Sequence, residues 1–338
     1  MAVLTDDVLV VNAGSTSLKL TMVSPDDESR PVASLDAAPE VAAVGHRVVH
    51  GGDRFTEPTV IDDSVVRALE ELVELAPLHN RAALEAIKKA RGLLPDALQV
   101  AVFDSGFHRT LPPVARTYPL PERFRALGIH RFGFHGLSVQ WVSEHVPVAR
   151  LVVCHLGGGS SVTAVKDGAS IDTTMGFTPL EGVPMATRAG SVDPGALLYL
   201  LRHGVQVSEL EAALEHESGL TALAGTGDVA ALEASGSPAA RFALDVYCYR
   251  VAQAVAAMAS ALDGLDAVAF TAGVGEHAAG VRADICHRLA FLGVALDEAA
   301  NEAVRGEAAI STAGSPVAVH VIAAREDAVV ARAVRSLI

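Results

Sequence analysis

Val8-Leu9-Val10-Val11-Asn12-Ala13-Gly14-Ser15-Thr16-Ser17-Leu18-Lys19-Leu20 opens the chain: an apolar run, a small polar turn, then apolar residues again. The pattern predicts a strand over residues 8–11, a turn over 12–17 and a return strand over 18–23, a hairpin with a long loop. The same order recurs near the middle. Leu151-Val152-Val153-Cys154-His155 reads as a strand, and Leu156-Gly157-Gly158-Gly159-Ser160-Ser161 as the turn. Residues 162–165 return, and Asp167-Gly168 makes a tight hairpin into 169–173. A repeat at so long a period points to duplicated domains rather than a solenoid, although two ordinary hairpins would read alike.

Helical patterns fill the space between. Residues 64–75 carry apolar side chains at Val65, Val66, Leu69, Leu72, Val73 and Leu75, with Asp62, Asp63 and Ser64 as N-cap candidates. Residues 80–90 and the Ala-rich 238–262 read as further helices, the latter stopped by Gly264. Acidic, Pro-containing 24–39 reads as a loop. Residues 267–271 form an apolar strand that breaks into the Gly turn Ala272-Gly273-Val274-Gly275-Glu276. A strand over 317–323 and a helix over 327–337 end the chain.

Composition narrows the function. The 338 residues are 50% hydrophobic and 20% charged, which suits a folded protein of about two domains. Lys and Arg total 26 against 40 Asp and Glu, a net charge of −14. A chain this acidic with no basic stripe is a poor partner for nucleic acid or an anionic membrane. The run 251–262 is too short to span a bilayer, and the acidic first residues do not read as a secretory signal, so a soluble cytoplasmic protein is expected. Cys154, Cys248 and Cys286 sit apart in apolar settings and read as buried thiols.

Three small turns after buried-type strands, at 12–17, 157–161 and 273–276, let backbone amides approach an anion without Cβ obstruction. Each alone would serve equally as a plain turn. Arg47 and Arg188 lie among apolar residues and glycines, where a guanidinium fork can take a carboxylate or phosphate or form a structural ion pair. Asp104 ends a predicted strand and His108 follows four residues on. His135 lies between aromatics and glycines, as a turn residue or a ligand contact. Glu326 precedes the last helix, where it could hold Mg²⁺ through water or simply favour the helix start.

These residues resemble the acetate kinases of the acetate/propionate kinase family. The resemblance rests on residues 10–19, His46-Arg47-Val48-Val49-His50-Gly51-Gly52, Ala76-Pro77-Leu78-His79-Asn80 and Phe103-Asp104-Ser105-Gly106-Phe107-His108. It continues through Arg131-Phe132-Gly133-Phe134-His135-Gly136, residues 172–194, 270–276 and Phe291-Leu292-Gly293-Val294, in order over nearly the whole chain. It implies an α/β fold of duplicated actin-like (ribonuclease H-like) domains with a cleft between them. The domains are expected at 1–105 plus 328–338 and at 106–327. It implies reversible transfer of a phosphoryl group from ATP to acetate, giving acetyl phosphate and ADP, with Mg²⁺ and in a homodimer.

By the same resemblance, Arg47 and Arg188 hold the carboxylate and the transferred phosphoryl group, His135 hydrogen-bonds the phosphoryl oxygens, and Asp104 orients the substrate side. Val49, Leu78 and Pro179 form the methyl pocket. Asn12, Ser17 and Lys19 line the phosphate path, and Asn12 and Glu326 serve the metal. His155, Gly157, Gly158, Gly159, Asp228, Gly273, Val274, Gly275 and His277 fall on the nucleotide side. The departures from the family pattern also lie there: Gly158 and His277 where Asn is usual, and Ala230 where Arg is usual. Ser191 replaces an acid, and the stretch between Lys19 and Gly45 is short. Those departures raise pyrophosphate or another nucleoside triphosphate as an alternative donor. Propionate or butyrate is an alternative acceptor, and a non-enzymatic actin-like scaffold the remote one.

Overall fold

The computed structural model describes residues 6–14, 18–75 and 77–338, the side chains of 74, 75 and 77–79 excepted. The chain divides into two units. The first comprises Met1–Arg109, Phe134–Trp141 and Arg325–Ile338; the second comprises Thr110–Gly133 and Val142–Ala324.

Twelve strands are formed among the described residues. The first unit holds β1 (Val8–Ala13), β2 (Leu18–Val23), β3 (Ser29–Pro31), β4 (Ala43–Val48), β5 (Thr59–Val60) and β6 (Leu98–Phe103). The second holds β7 (Arg150–Leu156), β8 (Ser160–Lys166), β9 (Ala169–Thr173), β10 (Ala267–Thr271), β11 (Ala308–Ala309) and β12 (Ala318–Val321). The first sheet runs β3-β2-β1-β4-β6-β5 and the second, read from its other edge, β9-β8-β7-β10-β12-β11. Each sheet has an antiparallel meander of three strands, two parallel additions, and a two-residue strand antiparallel to the last. The predicted duplication is therefore present strand for strand. In β7 and β10 the apolar runs are buried on both sheet faces, as parallel central strands require.

The first unit packs helices on both sheet faces. Ala86 and Ala90 of the helix Pro77–Leu93 join Leu9, Val11 and Val44, while its Ala83, Leu84 and Ile87 join Val48, Ala101 and Phe103. The terminal helix Glu326–Arg335 buries Val329, Val330 and Val334. Gly45 of β4 makes room for it: a Cβ there would stand 2.5 Å from a Val330 methyl carbon. In the second unit the helix Pro238–Ala261 buries Ala243, Tyr247, Val251 and Val255, one stripe at i, i+4 spacing, against the sheet. Its N-cap is Ser237, which accepts the Ala240 amide.

Several expectations change in detail. Asn12 and Ala13 extend β1 instead of opening the turn. The stretch 24–39 is not all loop: Ser29–Pro31 pairs with β2 as an edge strand, where the missing Pro amide costs nothing, and Leu35–Ala37 is a 3₁₀ turn capped by Ser34. No Gly turn separates β10 from the next helix. The helix Ala272–His277 starts at once, with Ala272 at φ +65° absorbing the change of direction. The helix predicted over 64–75 is α-helical only over Asp63–Glu71, capped by Asp62, and tightens to 3₁₀ beyond. The strand expected over 317–323 is Ala318–Val321. The Asp167-Gly168 hairpin is as expected, with both residues at positive φ. All three cysteines are buried thiols, and burial raises each pKa.

Candidate active site

In the first unit, register brings the charged residues together. Asn12 of β1 lies opposite Arg47 of β4, and Arg47 opposite Val102 of β6, two residues before Asp104. Arg47 grips Asp104 with two nitrogens, one bond being Nε to Oδ1 at 2.9 Å. Its Nη1 donates to Asn12 Oδ1 at 3.1 Å, and its Nε lies 3.2 Å from Glu326 Oε2. Asn12 Nδ2 reaches that same Glu326 oxygen at 3.5 Å. Three segments, the outermost 314 residues apart, thus meet around one guanidinium.

Burial opposes the Arg47 charge, but Asp104 and Glu326 outweigh it and raise its pKa. Burial, helped by the Glu326 charge, pushes the Asp104 carboxyl up to about 6 against the pull of Arg47. The cluster thus sets two carboxyl groups, of Asp104 and Glu326, around one guanidinium. Lys19 of β2 faces Asn12 across the hairpin.

This donor set fits Mg²⁺. Among the described residues no group of three or more His, Cys, Asp or Glu could form an all-protein cage. Mg²⁺ needs only one or two protein oxygens beside waters and phosphates, and the Asn12 amide and the Glu326 carboxylate, 3.5 Å apart, supply them. Val49 is buried just after β4. Ser17 and the Leu78 side chain lie outside the described residues.

His135 is half-buried at φ +57°, in the left-handed region, immediately before the helix Gly136–His145. The preceding carbonyl, of Phe134, takes the ring Nε2 of His108 at 2.9 Å.

The second unit builds a different site. Gly157–Gly159 joins β7 to β8, and a Cβ on Gly157 would lie 3.9 Å from the Gly273 amide nitrogen. The Ala186 amide donates to the Gly158 carbonyl at 3.3 Å, which joins this loop to the segment carrying Arg188. That segment is tied again by Leu220 N to Met185 O and Thr221 N to Ala186 O, both at 3.0 Å. Gly219 permits the approach, since a Cβ there would lie 2.1 Å from the Met185 carbonyl.

Arg188 itself donates to the Pro179 carbonyl at 3.3 Å. Among the described residues no carboxylate comes within ion-pair distance of it; burial lowers its pKa, with Glu215 the opposing charge. It is a guanidinium with donors to spare. His155 is buried at the end of β7, opposite Ser161 and Thr271. Asp228 caps the helix Val229–Ser235 by accepting the Ala231 amide, so its carboxylate is already engaged. Gly273, Val274, Gly275 and His277 all lie within the helix Ala272–His277.

Two supporting groups carry no sequence signal of their role: Arg131 lies within a motif, and Arg282 lies outside all of them. Arg131 donates through one nitrogen to the carbonyls of Thr173, Thr174 and Met175, and through another to Glu181 at 3.1 Å. Glu181 also accepts from Tyr118, whose oxygen receives the Phe177 amide at 3.1 Å. Together they clamp the loop that bears Pro179. Arg282, 1% exposed, donates to the carbonyls of Gly275 and Glu276 and to Asn301, and so holds the C-terminal end of the helix Ala272–His277.

Two copies of one sheet topology, one unit with an acidic oxygen cluster and the other with a Gly loop beside an uncommitted arginine, define a phosphotransferase of the actin-like ATPase fold. The family model described as the acetokinase family matches residues 32–332. The chain is 46% identical over 317 residues to the acetate kinase of Thermosynechococcus vestitus, covering 90% of this chain and 76% of that one. It is 40% identical over 353 residues to that of Thermoanaerobacterium thermosaccharolyticum, covering 97% and 88%. Among solved structures, a propionate kinase from Francisella tularensis superposes with a TM-score of 0.91 at 34% identity, covering 98% of this chain and all of that one. The Porphyromonas gingivalis acetate kinase superposes at 0.86 and 31% identity, covering 98% and 99%. The chain belongs to the acetokinase family and is a kinase, which removes the scaffold alternative. Among the described residues no helix is long and apolar enough to cross a membrane.

Proposed function

We propose that this chain transfers the γ-phosphoryl group of ATP to acetate, giving acetyl phosphate and ADP, and also catalyses the reverse. The observation that carries the reading is the contrast between its two arginines. Arg47 is paired with Asp104 and Glu326, whose oxygens also suit a cation, whereas among the described residues Arg188 forms no ion pair with a carboxylate and suits an anion.

Acetate is ionised at neutral pH, so no general base is required. One carboxylate oxygen forms a bond to phosphorus as the bond to the ADP oxygen breaks, and the electron pair leaves with ADP. The enzyme's task is to align two anions and stabilise the charge on the equatorial oxygens. Arg188 would take those oxygens with its planar fork, and His135 would donate to them from its ring. Arg47, held in one orientation by Asp104, would face the carboxylate. Asn12, Ser17 and Lys19 would flank the phosphates on the first unit. The amides of Gly157–Gly159 and Gly273–Gly275, with His155 and His277 beside them in sequence and Asp228 at the start of the helix Val229–Ser235, would serve the nucleotide on the second. Mg²⁺ at Asn12 and Glu326 would neutralise phosphate charge. Val49, Leu78 and Pro179 would enclose the methyl group.

A second reading, propionate as acceptor, is favoured by the likeness to the Francisella tularensis propionate kinase. One methylene changes binding by only about 1–3 kcal/mol, so both acids are expected to react. Trapping acyl phosphate with hydroxylamine, using acetate or propionate and ATP, GTP or pyrophosphate with and without Mg²⁺, tests all of this. The strongest product is expected from ATP and acetate with Mg²⁺. Product from pyrophosphate alone would replace the donor, and none from any pair would overturn the reading.

The homodimer belongs to the same proposal. The helix Pro194–Arg202 has no buried residue, and Leu198, Tyr199, Leu200 and Leu201 are 36–58% exposed in succession. An apolar helix left uncovered on all sides suits a second copy. Sedimentation should give a dimer that L198E with L201E converts to a monomer; a monomeric wild type would end the idea.

A further inference from the structure

His135 is held from both sides. Its φ of +57° is a backbone state that L residues with bulky side chains rarely keep without outside support. On the C-terminal side the chain has no freedom. A Cβ on Gly136 would lie 2.0 Å from the Asp104 carbonyl oxygen and 2.8 Å from Phe107 Cβ, and the Val139 amide donates to the His135 carbonyl at 3.0 Å. On the N-terminal side the Phe134 carbonyl accepts from His108 at 2.9 Å, and the Phe134 and His50 rings stand T-shaped with centroids 5.3 Å apart. A carbonyl has no proton to give, so His108 Nε2 carries the hydrogen. Burial lowers the His108 pKa to about 4, which keeps that ring neutral at physiological pH. His108 and Asp104 stand four residues apart on the same 3₁₀ segment, Asp104–Thr110. One short element thus orients the Arg47 guanidinium with one residue and the 134–135 peptide with another.

We propose that His108 is a positioning residue for His135. Its Nε2–H fixes the plane of the peptide that sets the left-handed φ, and through it the direction of the His135 imidazole. The inference rests on the reading of His135 as the phosphoryl-side donor. His108 touches no reacting atom in this assignment.

The test compares H108L, which fills much of the volume without a donor, with H108Q, whose amide nitrogen can reach the place of Nε2. The readouts are kcat and KM for acetate in the presence of ATP and Mg²⁺, the thermal midpoint, and the ¹⁵N resonances of the His135 ring, assigned with H135A. H108L should lower kcat about 10–100-fold with KM changed less than threefold, and should shift the His135 resonances. H108Q should recover most of the rate and the wild-type resonances. Equal losses in both variants, or unmoved His135 resonances in H108L, would overturn the proposal, because packing alone would then explain the site. Wild-type kcat in H108L would do the same. If H108L fails to fold, H108N, whose amide falls short of the Nε2 position, takes its place. H135A separates the two claims: full turnover there would overturn the role of His135, while the resonances would still decide the positioning by His108.

Discussion

Arg47 and Arg188 carry the same group and meet opposite surroundings, and that contrast sets what their removal should do. Arg47→Ala leaves Asp104, whose side chain is 1% exposed, beside Glu326 with no cation between them. Stranding a buried charge in this way typically costs about 3–5 kcal/mol, so the thermal midpoint should fall together with activity. Arg188→Ala strands nothing, because no carboxylate is paired with it among the described residues. Its midpoint should stay within a few degrees of wild type while turnover falls by about 10²–10³ or more, the usual consequence of removing one transition-state donor. Arg188→Lys should recover little, since a single ammonium cannot reproduce the planar fork. Calorimetry beside steady-state kinetics checks both variants, and equal melting losses would show that Arg188 is structural.

At the scale of elements, the loop 173–182 shows how a site is held by residues that do no chemistry. Arg131 satisfies three successive carbonyls, and the Glu181 and Tyr118 pair closes the loop from the other side. The loop then offers the Pro179 carbonyl to Arg188. Arg131→Met keeps most of the side-chain volume and removes all of these donors. Leaving buried carbonyls unsatisfied costs about 1–3 kcal/mol each, so the loop should loosen before the domain unfolds. The expected outcome is roughly a tenfold loss of kcat/KM with faster proteolysis between residues 173 and 182, read by limited digestion and mass spectrometry. Unchanged digestion would mean that the neighbouring backbone bonds suffice.

At the scale of the molecule, acid sensitivity follows from histidines buried neutral. His46, bonded through Nε2 to Gln99 at 2.8 Å, and His108 are both buried, and burial lowers each pKa to about 4. An unfolded histidine binds its proton near 6.5, so between 6.5 and 4 the unfolded chain binds protons that the native one refuses. Their stabilisation is complete above pH 6.5 and is lost as pH falls toward 4, by ~3 kcal/mol for each. Asp104 acts with the opposite sign. Its pKa rises from 3.8 to about 6 in the folded state, so acidification over that range returns stability of similar size. Two histidines outweigh one aspartate, and the net change is a loss. The thermal midpoint should drop between pH 6.5 and 4.5, and H46Q should remove most of the drop, because His108 and Asp104 then nearly offset each other. A flat profile over that range would show that these rings are protonated in the native state.

What was legible in the sequence was what rests on local pattern. The two hairpin openings, the alternation of strands and helices, the acidic charge balance, the Asp167-Gly168 turn and the buried thiols all follow from neighbours along the chain. So do the motifs that bear Arg47, Asp104, His135 and Arg188. Tertiary structure alone decided the rest, because those outcomes depend on groups brought together across long separations. Glu326 reaches Arg47 only because Gly45 leaves space for the last helix on β4. Residues 134–141 rejoin the first unit through contacts with the Asp104 segment that no window of sequence contains. Arg131 and Arg282 look like ordinary surface arginines until the carbonyls around them are in place. The same holds for the unequal fates of Arg47 and Arg188: two similar sequence contexts acquire different charge environments only when the chain has folded and each guanidinium has met, or failed to meet, its carboxylates.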